Sequence, residues 1–314
     1  MPVKLSLPLD AIRAAFGEHL QENVVLANYT TAHVGGPADA LLPVNTLDEL
    51  EQAVSKLWEL QAPFTILGSG SNILVSDAGL HGVAVLNRAR NVKIDSRSIA
   101  PSVWAESGAN LGHMARQVAL RGLSGLEWAT GIPGSVGGAV YGNAGAHGGD
   151  INHCLILAEI LHPVQGRVAW TVEQMAYDYR SSLLKREHSP AVILSARLRL
   201  EPGNPAEIRT RMDTFSEHRR RTQPPGATMG SMFKNPPGDF AGRLIEAAGL
   251  KGSTIGGAEI SPMHANFFVN HGTATARDIY QLIHRAQKTV ADRFGIQLEL
   301  EIELLGDFNG NGKG

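Results

Sequence analysis

Residues 131–150 read GIPGSVGGAVYGNAGAHGGD, and eight of these twenty positions are glycine. Glycine suits backbone with positive φ and places where another group must come close to the chain. A run this dense leaves few side chains to bury. Two readings follow. The run is a set of tight turns, or it aims backbone N–H groups at an anionic ligand. A shorter run, Gly-Ser-Gly-Ser-Asn at 68–72, comes directly after the apolar Phe64–Leu67. Together the two runs could make two walls of a diphosphate site. Neither carries GxGxxG followed by the required acidic residue, and no GxxxxGK[ST] occurs. The residues alone indicate a nucleotide-type anion site that is neither Rossmann nor P-loop, with the turn reading still standing beside it.

The rest of the composition narrows the class. The chain has 314 residues, enough for two domains and a substantial core. Lys and Arg number 28 against 30 Asp and Glu, which argues against a broad nucleic-acid footprint. Cys154 is the sole cysteine, so an intrachain disulfide and a multi-cysteine zinc site are excluded. The histidines lack ligand spacing, and no metal is expected. No apolar run approaches the ~20 residues of a membrane span, and residues 1–18 do not read as a secretory leader. The expectation is a cytoplasmic protein without a membrane or nucleic-acid partner.

Outward from the glycine runs, the chain mixes helices and strands. A short helix is expected over 11–20, and a strand and turn over 28–39. Thr46 opens a helix with a capping box to Glu49, presenting Leu47, Leu50, Val54, Leu57 and Trp58 on one face. Strands are expected at Phe64–Leu67, 83–86 and 103–106, and Asn110 begins a helix that stops at Gly122. Residues 154–161 and 191–200 read as strands, the latter alternating Val192, Leu194, Leu198 and Leu200 with Ile193, Ser195, Arg197 and Arg199. The cluster 201–205 is a breaker and the expected domain boundary. Asn204 then caps a helix ending in Arg219, Arg220 and Arg221, which compensate its dipole or contact a diphosphate. Helices follow at 239–248 and 275–294. Residues 296–304 alternate Ile and Leu with Gln297, Glu299, Glu301 and Glu303, the cleanest strand pattern in the chain.

GSGSNILVSDAG, GIPGSVGGAVYGNAGAHG, YRSS, GSMFKNP and FGIQLELEIELLG, in this order between Asn28 and Gly306, resemble the UDP-N-acetylenolpyruvoylglucosamine reductase family. The resemblance implies an α+β (mixed α/β) fold. A vanillyl-alcohol-oxidase-type FAD-binding domain of two subdomains (1–202) would be followed by a smaller α+β substrate-binding domain (203–306) and a flexible tail (307–314). It implies noncovalent FAD, held by Ser69, Gly70, Ser71, Asn72, Pro133, Gly134, Ser135, Gly138, Asn143 and Gly145. It also implies NADPH as reductant, an enolpyruvyl UDP-sugar as substrate, and a monomer.

The chemistry so implied is conjugate reduction of an enol ether bearing a carboxylate. Charge develops on the carboxylate and a proton must reach carbon, which calls for a cation and a proton donor. By resemblance, Arg180 of Tyr179-Arg180-Ser181-Ser182 stabilises the enolate, Ser231 donates the proton, and Glu301 is the catalytic glutamate. By pattern alone Arg180 is a surface arginine, Ser231 a turn serine, and Glu301 one of three equivalent solvent-facing glutamates. Tyr179, Asn235, Lys251 and His264 fall where the family contacts the UDP-sugar. The chain departs from the family at Leu300, where proline is common. It also lacks an inserted tyrosine-bearing segment between Arg180 and Ser231, as the shorter subgroup does. The alternatives are a flavin oxidase of the same fold acting on an alcohol or sugar, and a non-catalytic flavin sensor. His33, His81 and Cys154 are the residues available for a covalent flavin, and no motif favours a link.

Overall fold

The computed structural model describes residues 7–308. By contact density the chain forms two compact units, each discontinuous in sequence. One takes the chain up to Leu20, then Leu42–Ser69 and Ala84–His218. The other takes Gln21–Leu41, Gly70–Val83 and the chain from Arg219 onward.

The first unit is built on a five-stranded antiparallel sheet. Its strand order is Gly166–Thr171, Leu155–His162, Val192–Arg199, Ser102–Glu106, Val92–Asp95. The helices Leu47–Glu59 and Val136–Gly142 pack on its central strand. Leu47, Leu50, Val54 and Leu57 are buried as the helical period requires, and Thr46 Oγ1 accepts from Glu49 N at 3.1 Å. Glu49 reaches Asn45 N at 2.7 Å, one residue before the cap. Asn110 caps Leu111–Ala119 by accepting from His113 N at 2.7 Å. The expected alternation of Val192–Arg199 holds only in its second half. Val192 through Ala196 are all buried, because a central strand with packed layers on both faces has no solvent side. Ser195 is accommodated there by donating to Glu159 and accepting from Trp104 Nε1 at 3.0 Å. Glu201–Pro202 pairs with Leu123–Ser124 before the helix Pro205–Thr222 begins. At the N-terminus the helix spans Leu9–Phe16, and 17–19 tighten into a 3₁₀ turn.

In the second unit, Gln21–Val25 pairs antiparallel with the start of Pro37–Val44. A three-stranded sheet, Thr254–Ile255, Ala258–Ile260 and Phe268–Asn270, lies beside the long helix Ala276–Phe294. Phe233 and Phe268 meet edge-to-face at 6.1 Å in its core, with Leu74, Leu244, Ile279 and Ile283 around them. The long helix begins at a capping box of Thr275 and Asp278. Asp77, far away in sequence, adds a second cap: its carboxylate accepts from Ala276 N at 2.8 Å and Arg277 N at 2.9 Å.

Residues 296–304 do not form the single strand their alternation suggests. Leu298 and Ile302 are buried, so the apolar period is kept. The hydrogen-bond partner changes along the segment, however. Lys234 N donates to Glu299 O and Glu301 N to Met232 O, each at 2.9 Å, and only Glu303–Leu305 then forms a strand, parallel to Ile73–Val75. Alternation reports burial, and the ladder needs a continuous neighbour that this segment does not have. At the chain's end Phe308 packs on Tyr280 at 4.7 Å. The remainder of the expected tail, 309–314, lies outside the described residues.

Candidate active site

The long glycine run supplies the helix Val136–Gly142 and the loops on either side of it. Gly134 sits at φ +133°, a conformation few other residues adopt. The N–H groups entering the helix are consumed internally. Val136 N donates to Ala109 O at 2.8 Å, Gly137 N to Ser107 O at 2.7 Å, and Gly138 N to Ser135 Oγ at 3.3 Å. They are not the bare donors the glycine density suggested. The donors lie in the shorter run instead, where none of the N–H groups of Ser69, Gly70 and Asn72 reaches a protein acceptor among the described residues. The two runs touch: a Cβ on Gly68 would fall 2.5 Å from Ser135 Oγ. Gly138 is exposed, and only Ser135 Oγ, at 3.5 Å, comes near the position a side chain would take. Within the first unit, the open N–H of Ser69 and a helix face bare of side chains fit a phosphate group of a dinucleotide such as FAD.

The YRSS segment is a tight turn bolted to the end of the same helix. Asp178 and Ser181 exchange backbone hydrogen bonds at 3.0 and 3.1 Å, leaving Tyr179 and Arg180 at the tip. Tyr177 Oη donates to Val140 O at 2.8 Å and Ser182 Oγ to Tyr141 O at 2.6 Å. Asn143, buried and left-handed at φ 47°, donates from its amide to Asp178 O at 3.0 Å and accepts from Asn152 N at 3.0 Å. Arg180 returns the attachment, with Nη2 donating to Gly145 O at 2.6 Å. Its own φ is 54°, a costly conformation for an arginine. The guanidinium lies 5.5 Å from the ring centre of the exposed Tyr179. Asn143 and Gly145 thus serve the arginine turn through their side chain and carbonyls.

In the second unit Gly230, at φ +82°, leads into the segment carrying Ser231. Asn266 clamps this segment. It is 3% exposed, and its side chain accepts from Phe233 N at 2.9 Å and donates to Phe233 O at 2.8 Å, while its carbonyl accepts from Met232 N at 2.8 Å. The Ser231 hydroxyl has no hydrogen-bond partner among the described residues. Glu301 lies on the neighbouring extended segment, its N–H on Met232 O. The three glutamates are not equivalent: the Glu299 side chain is 76% exposed and paired with Lys234 at 3.3 Å, whereas Glu301 is half-buried.

The remaining predicted contacts cluster around the helix Ala241–Ala247. Asn235 Oδ1 accepts from Ala241 N at 3.1 Å, and Lys251 pairs with Glu246 at 2.8 Å. His264 lies against Gly242, accepts from Asn266 N at 3.2 Å, and has its pKa lowered mainly by burial. Asn266 and Asp77 had no local signal to mark them, because each acts on backbone distant in sequence. Cys154 is buried with its thiol pushed up to about 12 by burial, which makes it a poor candidate for a flavin link.

Residues 38–171 match the family described as FAD binding domain, and residues 222–305 match that described as UDP-N-acetylenolpyruvoylglucosamine reductase, C-terminal domain. The UDP-N-acetylenolpyruvoylglucosamine reductase of Chloroflexus aggregans is 42% identical over 289 residues, covering 91% of this chain and 97% of that protein. The chain belongs to the UDP-N-acetylenolpyruvoylglucosamine reductase family. The namesake of Bacillus subtilis is 41% identical, with 90% of this chain and 93% of that protein covered. The crystal structure of the Thermus caldophilus reductase superposes with a TM-score of 0.77 at 37% identity, covering 90% of this chain and 98% of that one. The resemblance carried by the five sequence stretches is borne out, as are the mixed α+β class and the FAD-binding domain. Family membership sets aside the oxidase alternative. No helix among the described residues is long and apolar enough to cross a membrane.

Proposed function

We propose that the chain is an FAD-containing, NADPH-dependent reductase that converts the enolpyruvyl ether of UDP-N-acetylglucosamine to UDP-N-acetylmuramate. The observation that carries this is the attachment of Arg180 to the glycine run, a cation held at φ 54° by the carbonyl of Gly145. Bound FAD would supply the hydride-transfer chemistry between NADPH and the substrate. Ser69, Gly70, Ser71, Asn72, Pro133, Gly134, Ser135, Gly138, Asn143 and Gly145 would hold it noncovalently.

Hydride addition at the distal carbon drives charge onto the substrate carboxylate. Arg180 meets that charge in a planar fork, and its bond to Gly145 O fixes the guanidinium beforehand, so little reorganisation remains at the moment of reaction. Ser231 delivers a proton to the other carbon, and Glu301 on the adjoining segment supplies or orients it. Tyr179, Asn235, Lys251 and His264 bind the UDP-sugar. In this reading residues 203–306 form the substrate-binding part, and the enzyme acts as a cytoplasmic monomer.

The test is an anaerobic pair of half-reactions. NADPH should bleach the flavin absorbance, and the enolpyruvyl UDP-sugar should restore it with release of the lactyl product. A flavoprotein bleached by NADPH but indifferent to that substrate would end the reading.

A further inference from the structure

Asn72 stands in the shorter glycine run, yet its side chain faces the segment that carries Glu301. Its amide nitrogen donates to Glu301 O at 3.1 Å, and its own carbonyl accepts from Glu303 N at 2.9 Å. These two bonds straddle the buried Ile302. On the other side, Glu301 N donates to Met232 O at 2.9 Å, beside Ser231. The peptide groups on both sides of the Glu301 Cα are therefore held, one by the serine segment and one by the glycine loop. The strands Ile73–Val75 and Glu303–Leu305 continue the attachment in parallel register, Glu303 opposite Ile73.

We propose that Asn72 is a positioning residue for Glu301. Its amide sets the place of the glutamate relative to the loop that holds the cofactor diphosphate. The inference rests on the reading of Glu301 as the proton-handling carboxylate. A carbonyl with two lone pairs would be served by water if exposure were its only need. A side-chain donor from a distant loop fixes it to one position instead. Misplacement of a catalytic group by about 1 Å can cost on the order of 10²-fold, so one such bond has leverage on rate. Asn72 is exposed, and its main-chain bond to Glu303 survives truncation of the side chain.

The experiment is a double-mutant cycle on substrate-driven flavin reoxidation, with rates normalised to bound flavin at saturating FAD. Asn72→Ala should slow reoxidation by about 10–100-fold. In a Glu301→Ala background the same change should cost less than about twofold, since there is no carboxylate left to position. Equal losses in both backgrounds would overturn the proposal and leave Asn72 as a cofactor contact only. Asn72→Asp keeps the shape but loses the donor and should behave like Asn72→Ala. A wild-type rate for it would overturn the proposal as well. If Glu301→Ala alone reoxidises normally, the reading of Glu301 fails, a result distinct from additivity in the cycle.

Discussion

Arg180 and Gly145 are joined by a hydrogen bond of 2.6 Å from the guanidinium to the glycine carbonyl. The residue proposed to meet the developing carboxylate charge is thereby attached to the loop proposed to hold the cofactor. The turn that carries it is fixed to the same helix by Tyr177, Ser182 and Asn143.

Arg180→Lys keeps the charge and loses the fork. An ammonium cannot serve Gly145 O and a carboxylate in one plane. Substrate-driven reoxidation should fall by about 10²–10³-fold, the cost of removing an oxyanion donor, while NADPH-driven reduction is retained. Stopped-flow absorbance of the two half-reactions separates these outcomes. Equal loss in both would assign the arginine to structure.

Ser231→Ala and Glu301→Ala should each slow reoxidation by about 10²–10⁴-fold, the worth of a positioned general acid. Glu299→Ala is the control, because the Glu299 side chain is 76% exposed and surface pairs contribute about 0–1 kcal/mol. Single-turnover rates decide the matter. A Glu299→Ala defect as large as that of Glu301→Ala, with folding intact, would mean the C-terminal register is misassigned.

Much of this was legible because it was local. Thr46, Asn110 and Thr275 stand one residue before their helices and cap them through their own side chains. Phe64–Leu67 and its glycine run, and the strands around 103 and 158, follow from short-range pattern. What stayed hidden depends on partners brought from elsewhere. No composition marks Arg180 for a positive φ, since only the bonds around the turn hold it there. Residues 296–304 alternate correctly and still fail to make one strand, because their neighbour changes from 232–234 to 73–75. Asn266 looks like any loop asparagine until Phe233 is placed beside it.

Gly138 offers a cleaner test of the cofactor loop than most glycines, since no protein backbone crowds its missing side chain. Gly138→Val should fold, as judged by circular dichroism, and fail to take up FAD because the added side chain fills the ligand's space. In the wild-type protein, acid precipitation should leave all the flavin in the supernatant. Full flavin content in purified Gly138→Val would place the diphosphate elsewhere.

His264 gives a pH prediction with a definite sign. Its folded pKa is lowered, chiefly by burial, below the unfolded value of ~6.5. The unfolded chain then binds the proton more readily, so stability holds above about pH 6.5 and declines as pH falls through the lower folded value. His264→Gln should flatten that part of the acid limb in urea titrations run between about pH 7 and 5. An unchanged slope would mean other groups govern it.

The parallel pairing of Ile73–Val75 with Glu303–Leu305 also governs how the protein is made. During synthesis Leu74 and Val75, both buried at the end, leave the ribosome long before their partner strand exists. At ~5–20 residues per second the interval is roughly ten to fifty seconds. For that time the shorter glycine loop lacks the strand that supports it. If that loop holds the cofactor as proposed, capture by the newborn chain is a late event, and a polypeptide truncated before Glu303 should emerge without the loop's support and with an apolar strand uncovered.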